Sequence, residues 1–199
     1  MTDGFLKKVY NLDGEDAVRD YYDDWAASYD DEISENGYAT PRRCAEALAS
    51  CASDLSAPLL DMGCGTGLSG LAFRAAGFTA IDGTDLSPGM IERAEKRGAY
   101  RDLFMSSDLG GRVYDMVAAV GVIGPGAAPA SLFDTCLSHL TTGGLFVFSF
   151  NDHALSIAEY PAVLAAARAR GTVSTRFEEH GDHLPGINVK STVYVLEKL

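Results

Sequence analysis

A chain of 199 residues, 47% of them hydrophobic and 22% charged, is long enough to bury one full α/β core. A formal net charge of −12 leaves no basic stripe able to neutralise phosphates; this excludes nucleic acid as an expected partner and otherwise reads as solubility. Cys44, Cys51, Cys64 and Cys136 lack CxxC spacing, and the four histidines lack metal-ligand spacing, so neither a disulfide framework nor a metal site is expected; free thiols in a reducing cytoplasm fit instead.

The first residues, Met1-Thr2-Asp3-Gly4, have no basic region ahead of an apolar stretch, so no signal peptide is expected. No apolar run approaches the ~20 residues of a membrane span, and no membrane partner is expected. Residues 1–54 read as a helical cap. Val18, Tyr21, Tyr22, Trp25 and Tyr29 recur at helical spacing and give one aromatic face. Thr40-Pro41 has the form of a second helix start, a hydroxyl cap followed by proline. Cys44, Ala45, Leu48 and Cys51 form that helix's apolar side.

Strands and helices alternate from Pro58 onward. Strands are predicted at 58–62, 79–84, 103–106, 116–120 and 145–150, and helices at 68–76, 88–97, 132–140 and within 154–170. Gly77 and Gly98 stand where helix C-caps belong, and Ser87-Pro88 is another cap-plus-proline start. This rhythm implies a parallel sheet with helices on both faces. Residues 173–180 and 188–196 are β-rich with no helix between them, and are expected to pair antiparallel across the loop holding His183. The expected architecture is one domain over 1–199: a Rossmann-like, doubly wound, mostly parallel α/β sheet at 55–199 with an antiparallel C-terminal strand, under a helical cap at 1–54.

Open α/β sheets bind ligands at the carboxyl ends of their strands. The first such end is Leu59-Leu60-Asp61-Met62-Gly63-Cys64-Gly65-Thr66-Gly67, a strand, an acid and a glycine turn leading into a helix. Glycine tolerates positive φ and has no Cβ to hold a ligand away. Asp85, 20 positions beyond Gly65, ends the second strand, where a carboxylate accepts ribose hydroxyls. Gly65, Gly67 and Gly70 also spell G-x-G-x-x-G, so an NAD(P)-dependent oxidoreductase is a competing reading. Against it, Asp61 would repel a pyrophosphate but suits a cationic amino group, and the antiparallel tail is not expected of a dinucleotide-binding half.

Asp61-Met62-Gly63-Cys64-Gly65-Thr66-Gly67 resembles the first motif of class I S-adenosylmethionine-dependent methyltransferases. Gly83-Thr84-Asp85-Leu86-Ser87-Pro88-Gly89-Met90-Ile91 is similar to their second motif. Tyr114-Asp115-Met116-Val117 and Thr142-Gly143-Gly144-Leu145 resemble the entries to their fourth and fifth strands. The tract from Tyr22 to Asp30 resembles the N-terminal segment of the small methyltransferase-like proteins named after the Williams–Beuren syndrome region. The resemblance implies S-adenosylmethionine as cofactor. It sets the backbone of Gly63, Cys64, Gly65 and Gly67 against the methionyl part, with Asp61 near its ammonium and Tyr29 near its carboxylate. Asp85 then takes the ribose, and Leu86 and Met90 pack on the adenine. Either Ser107 or Asp108, beside Leu109, falls near the adenine amino group, and Val120 and Gly121 line the methionyl side.

Other residues carry weaker signals. The aromatic face of Tyr22, Trp25 and Tyr29 is either core packing or a lid. Arg42 or Arg43 is a solvated cation or a partner for the methionyl carboxylate. Asn151-Asp152-His153 reads first as a helix cap with an exposed histidine, and His183 as an exposed loop histidine; a general base is the lesser reading of each. The sulfonium is already activated and positioning supplies much of the barrier lowering, so no catalytic side chain is assigned. The expectation is a cytoplasmic methyltransferase, monomer or homodimer, acting on a small-molecule acceptor partly enclosed by the uncharged loop from Val122 to Pro129. Alternatives are the oxidoreductase and a non-catalytic S-adenosylmethionine-binding protein.

Overall fold

The computed structural model describes residues 15–106 and 109–199. Helices α1 (Glu15–Glu35) and α2 (Thr40–Cys51) come first. There follow β1 (Leu59–Met62), α3 (Leu68–Ala75), β2 (Ile81–Thr84), α4 (Pro88–Arg97) and β3 (Leu103–Phe104). Then come β4 (Tyr114–Ala119), α5 (Leu132–Ser138), β5 (Leu140–Asn151), α6 (Asp152–Ser156) and α7 (Glu159–Ala169), and last β6 (Val173–Leu184) and β7 (Val189–Lys198).

The strands form one sheet in the order β3-β2-β1-β4-β5-β7-β6. Its first five strands run parallel, while β7 lies antiparallel to both β5 and β6. This is the Rossmann-like, doubly wound arrangement with an antiparallel tail that the sequence predicts. The chain winds outward from β1 to β3 and then crosses to β4 on the other side of β1. Such a reversal opens a crevice at the carboxyl ends of β1 and β4. The register sets Asp61 beside Gly83 of β2 and Ala118 of β4, so the glycine turn lies at that crevice.

Both faces of the sheet are covered, and its central strands are correspondingly rich in apolar residues, with Asp61 in β1 and Asp115 in β4 as interruptions. In β5, Phe146, Phe148 and Phe150 enter the core beneath α5 and α7 with Phe133, Tyr160 and Leu164, while Val147 enters the opposite core with Leu48, Phe73 and Phe78. Trp25 and Ile33 of α1 join Leu184 at the end of β6 in a third cluster, flanked by Tyr22, Tyr29 and Tyr38. Within the aromatic stripe of α1, Trp25 is packed at 1% exposed, while Tyr22 and Tyr29 are half-buried and border a cavity.

Several local expectations hold and others shift. Ser87 caps α4 by accepting from Met90 N (3.1 Å), and Gly98 ends that helix in the left-handed region. Asn151 caps α6 through Ala154 N. Thr40, in contrast, is no cap: it lies inside α2 behind Ala39, and its hydroxyl turns to His183 and Ser191. Pairing carries β6 through His183 to Leu184, so this histidine is buried in a strand and not exposed in a loop. β3 shrinks to two residues, and β5 begins at Leu140, where Gly143 (φ +79°) sits in the irregular pairing with β4.

Candidate functional site

The glycine turn is built from alternating left-handed residues: Gly63 at φ +72°, Gly65 at +52° and Gly67 at +91°. Side-chain-bearing residues rarely hold that conformation. Each glycine faces something different. A Cβ on Gly65 would meet open space, whereas one on Gly63 would strike Val122 and one on Gly67 would press on Ala94 and Arg97 of α4. A Cβ on Gly70 would overlap the Tyr100 ring, whose hydroxyl accepts from Gly70 N (3.0 Å). The third glycine of the apparent dinucleotide fingerprint thus makes room for Tyr100.

Tyr100 in turn donates to Asp61 Oδ2 (2.8 Å), as does Ser69 (2.5 Å). Asp61 Oδ1 is buried without a hydrogen-bond partner among the described residues. Burial lifts this carboxyl to about 6, the two hydroxyls lower it in part, and Asp85 adds to the rise. A buried carboxylate oxygen lacking a donor is a place where a ligand N–H is worth most. Asp85 spans the mouth of the turn. Its Oδ2 accepts from Gly65 N (2.9 Å) and its Oδ1 from Ser87 N (3.0 Å); burial raises its pKa against these two bonds.

Helix α1 crosses above. Asp23 Oδ1 accepts from Gly89 N (2.7 Å) and Ser87 Oγ (3.0 Å) at the start of α4. About two turns later, Asp30 pairs with Arg97 (2.6 Å) and accepts from Thr66 Oγ1 (2.6 Å). Beneath this helix lies a cavity of about 660 Å³, within the range of cofactor clefts. Its wall joins the glycine turn, Asp85, the loop from Val122 to Pro129 and the face of α5 and α7 carrying Leu132 and Tyr160.

Of the predicted site residues, Tyr29, Gly63, Gly65, Asp85, Leu86, Met90, Val120 and Gly121 all line this cavity. Asp61, Cys64, Gly67 and Leu109 do not line it. Asp61 sits buried below the turn, Gly67 serves helix packing, and Leu109 and Cys64 are buried, the thiol pushed well up by burial. Ser107 and Asp108 lie outside the described residues. Arg42 pairs with Glu46 on the surface, while Arg43 donates to the carbonyls of Glu179, Asp182 and Ser191, fastening the β6–β7 hairpin to α2. His153 is exposed.

A side alcove of about 50 Å³ adjoins the cavity and shares Tyr22, Tyr29 and Gly121 with it. Trp25, Tyr38, Ser149, Asn151 and His183 are among its other wall residues. A Cβ on Gly121 would overlap the Tyr38 hydroxyl and lie 3.9 Å from His183 Cε1, so both rings reach the end of β4. His183 Nδ1 lies 2.7 Å from Thr40 Oγ1, and burial together with Arg43 pulls the imidazole down to about 4. Sequence reasoning missed Tyr38 here, and it read His183 as an exposed loop histidine, whereas the structure buries it at the end of a strand. The neighbouring His180 turns instead to Thr192.

Residues 37–186 match the sequence profile of a methyltransferase domain family. Human methyltransferase-like protein 27 is 32% identical over 160 residues, which make up 75% of this chain and 64% of that protein. The chain therefore spans a little under two thirds of its curated relative. Among solved structures, a plantazolicin methyltransferase in complex with S-adenosylhomocysteine superposes with a TM-score of 0.64 at 12% identity, covering 98% of this chain and 99% of the other. Magnesium protoporphyrin IX methyltransferase from Synechocystis PCC 6803 with bound S-adenosylmethionine superposes at 0.60 and 15% identity, covering 98% and 90%. At these identities the likeness is one of fold.

Proposed function

The chain belongs to the methyltransferase domain family, and from that premise we propose that it transfers a methyl group from S-adenosylmethionine to a small-molecule acceptor. The observation that carries this reading is the cavity of about 660 Å³ whose wall joins the open backbone of Gly65 to the Asp85 carboxylate. The residues fit the donor. Asp85 presents a carboxylate at the wall for ribose hydroxyls, and Leu86 and Met90 offer an apolar surface for a base. Asp61 lies below the turn and off the cavity wall, and its buried oxygen in want of a donor suits an ammonium bridged through water. When bound, the donor supplies an already activated methyl on a sulfonium.

What this chain adds is position and cover. The glycine turn fixes one side of the ligand by its backbone, and its two ties to Thr84 O (2.8 and 2.9 Å from Gly63 N and Cys64 N) hold that backbone to β2. Helix α1, fastened at Asp23 and Asp30, covers one side of the cavity. Holding two reactants at near-attack distance lowers the barrier without a catalytic acid or base. Two features favour a small acceptor: a roof closed by α1, and a net charge of −12 that repels polyanions.

Calorimetric titration of the full chain with S-adenosylmethionine tests the reading directly, with NADH and NADPH as controls. Saturable binding of the first alone is expected. Tight binding of a nicotinamide cofactor without a signal for S-adenosylmethionine overturns it. Turnover is then read by mass spectrometry across a panel of small acceptors.

A further inference from the structure

The hydrogen-bond chain behind the alcove determines which nitrogen of His183 carries the proton. Arg43 Nη1 donates to Ser191 Oγ (3.1 Å), because a guanidinium can only donate. Ser191 Oγ lies 3.2 Å from Thr40 Oγ1, which lies 2.7 Å from His183 Nδ1. Ser191 and Thr40 are both buried. If Ser191 gives its proton to Thr40, and Thr40 gives its own to His183 Nδ1, every proton has an acceptor. The reverse order leaves the buried Ser191 hydroxyl proton with nowhere to go, at a real desolvation cost. The ring therefore carries its own proton on Nε2, which takes no partner among the described residues. The charged groups facing it are Arg43 from α2 and Asp152 from α6, and with burial dominating them the ring stays neutral.

Other neutral polar groups line the same space, Tyr38, Asn151 and Ser149 among them. The Tyr38 phenol stays protonated, since burial raises it well above the ordinary range. Asn151 spends its Oδ1 on Ala154 N, which leaves its NH2. No Asp, Glu, Lys or Arg lines the alcove among the described residues, and its walls include the rings of Tyr22, Trp25 and Tyr29. Neutral donors inside an aromatic enclosure match an acceptor oxygen on a flat, uncharged group.

We propose that the alcove binds the carbonyl-bearing end of an uncharged planar methyl acceptor, with His183 as Nε2–H donor and not as a general base. The proposal rests on the methyltransferase reading for the identity of the acceptor, while the donor geometry stands on its own. The tautomer is set by Arg43 through Ser191 and Thr40, so His183 depends on residues far from it in the chain.

Two measurements test it on the full chain. Histidine side-chain 15N NMR, with His183 assigned by its loss in His183→Phe, should show Nε2 protonated and Nδ1 bare, unchanged down to about pH 5. An Nδ1-protonated ring, or a cationic one near neutral pH, overturns the proposal. Ligand-observed NMR with benzamide, benzoate and toluene, with and without S-adenosylhomocysteine, should show benzamide bound in preference to the other two. His183→Phe should weaken benzamide by roughly fivefold, the worth of one hydrogen bond, with S-adenosylhomocysteine affinity retained. Thr40→Val keeps the ring and removes its donor, and should lower the Nε2–H population and weaken benzamide likewise. Benzamide binding no better than toluene or benzoate, or no binding of any of the three, overturns the proposal. Failure of S-adenosylhomocysteine to bind would instead remove the methyltransferase reading and leave the tautomer and benzamide results to stand.

Discussion

Two carboxylates at the glycine turn carry different tasks, and each is testable by one substitution. Asp85 accepts from Gly65 N and Ser87 N while facing the cavity. Asp85→Ala should weaken S-adenosylmethionine binding by roughly 1.5–3 kcal/mol, the worth of a charge-assisted contact, as read by calorimetry. Unchanged affinity in a folded variant would remove the ribose role. Asp61 is set apart by burial, which lifts it from 3.8 to about 6. A raised acid favours the protonated fold, so its contribution to stability is greatest below 3.8, falls as pH rises to about 6, and stays low above. Urea denaturation across this range should show that decline in the wild type and a flatter profile in Asp61→Asn. Binding runs the other way: an ammonium beside the carboxylate lowers its pKa, so cofactor affinity should rise through about pH 6 in the wild type only. Both acids were legible in the sequence because their neighbours are local, the turn itself and the next strand. His183 was not, because its partner Thr40 lies 143 residues away and no short pattern records that meeting.

At the scale of elements, periodicity located most helices and strands, and tertiary pairing decided their ends. The aromatic stripe of α1 announced a packed helix. Its acidic face gave no such notice, since charges on a helix ordinarily meet water, yet Asp23 and Asp30 fasten α1 to α4 and the turn. This makes α1 a clamp over the cavity that has to loosen for ligand exchange. The Asp30–Arg97 pair is partly buried, with side chains 28% and 23% exposed, and it shares Asp30 with Thr66. Asp30→Ala should therefore cost the closed state about 1 kcal/mol and speed ligand dissociation roughly fivefold, with a smaller change in association. Trp25 is the lone tryptophan and lies on α1, so stopped-flow fluorescence reports the rate from within the clamp. An unchanged dissociation rate would show that α1 does not gate exchange.

For the molecule as a whole, the sheet order places every cavity-lining strand end on one edge, and the alternation of strands and helices in the sequence was enough to foresee it. What holds the last hairpin against the rest was not foreseeable. Arg43 read as a surface cation, but its side chain is only 11% exposed and supplies donors to Glu179 O, Asp182 O and Ser191 O across β6 and β7. Gly181 is bare where the guanidinium crosses the strand, since a Cβ there would stand 2.9 Å from Nη2. A single side chain thus joins the N-terminal cap to the C-terminal hairpin, and through Ser191 to the alcove wall. Arg43→Met keeps much of the stem's packing but leaves several carbonyls without a donor, which should cost roughly 2 kcal/mol of stability. Hydrogen exchange distinguishes where that loss falls: amides of β6 and β7 should exchange faster, while β1, β2 and the glycine turn should keep their protection. Uniform acceleration across the sheet would mean that the hairpin and the parallel strands unfold as one unit. The same variant should leave cofactor affinity close to wild type, because Asp85 and the glycine turn are held by β2 and α4 and not by the hairpin.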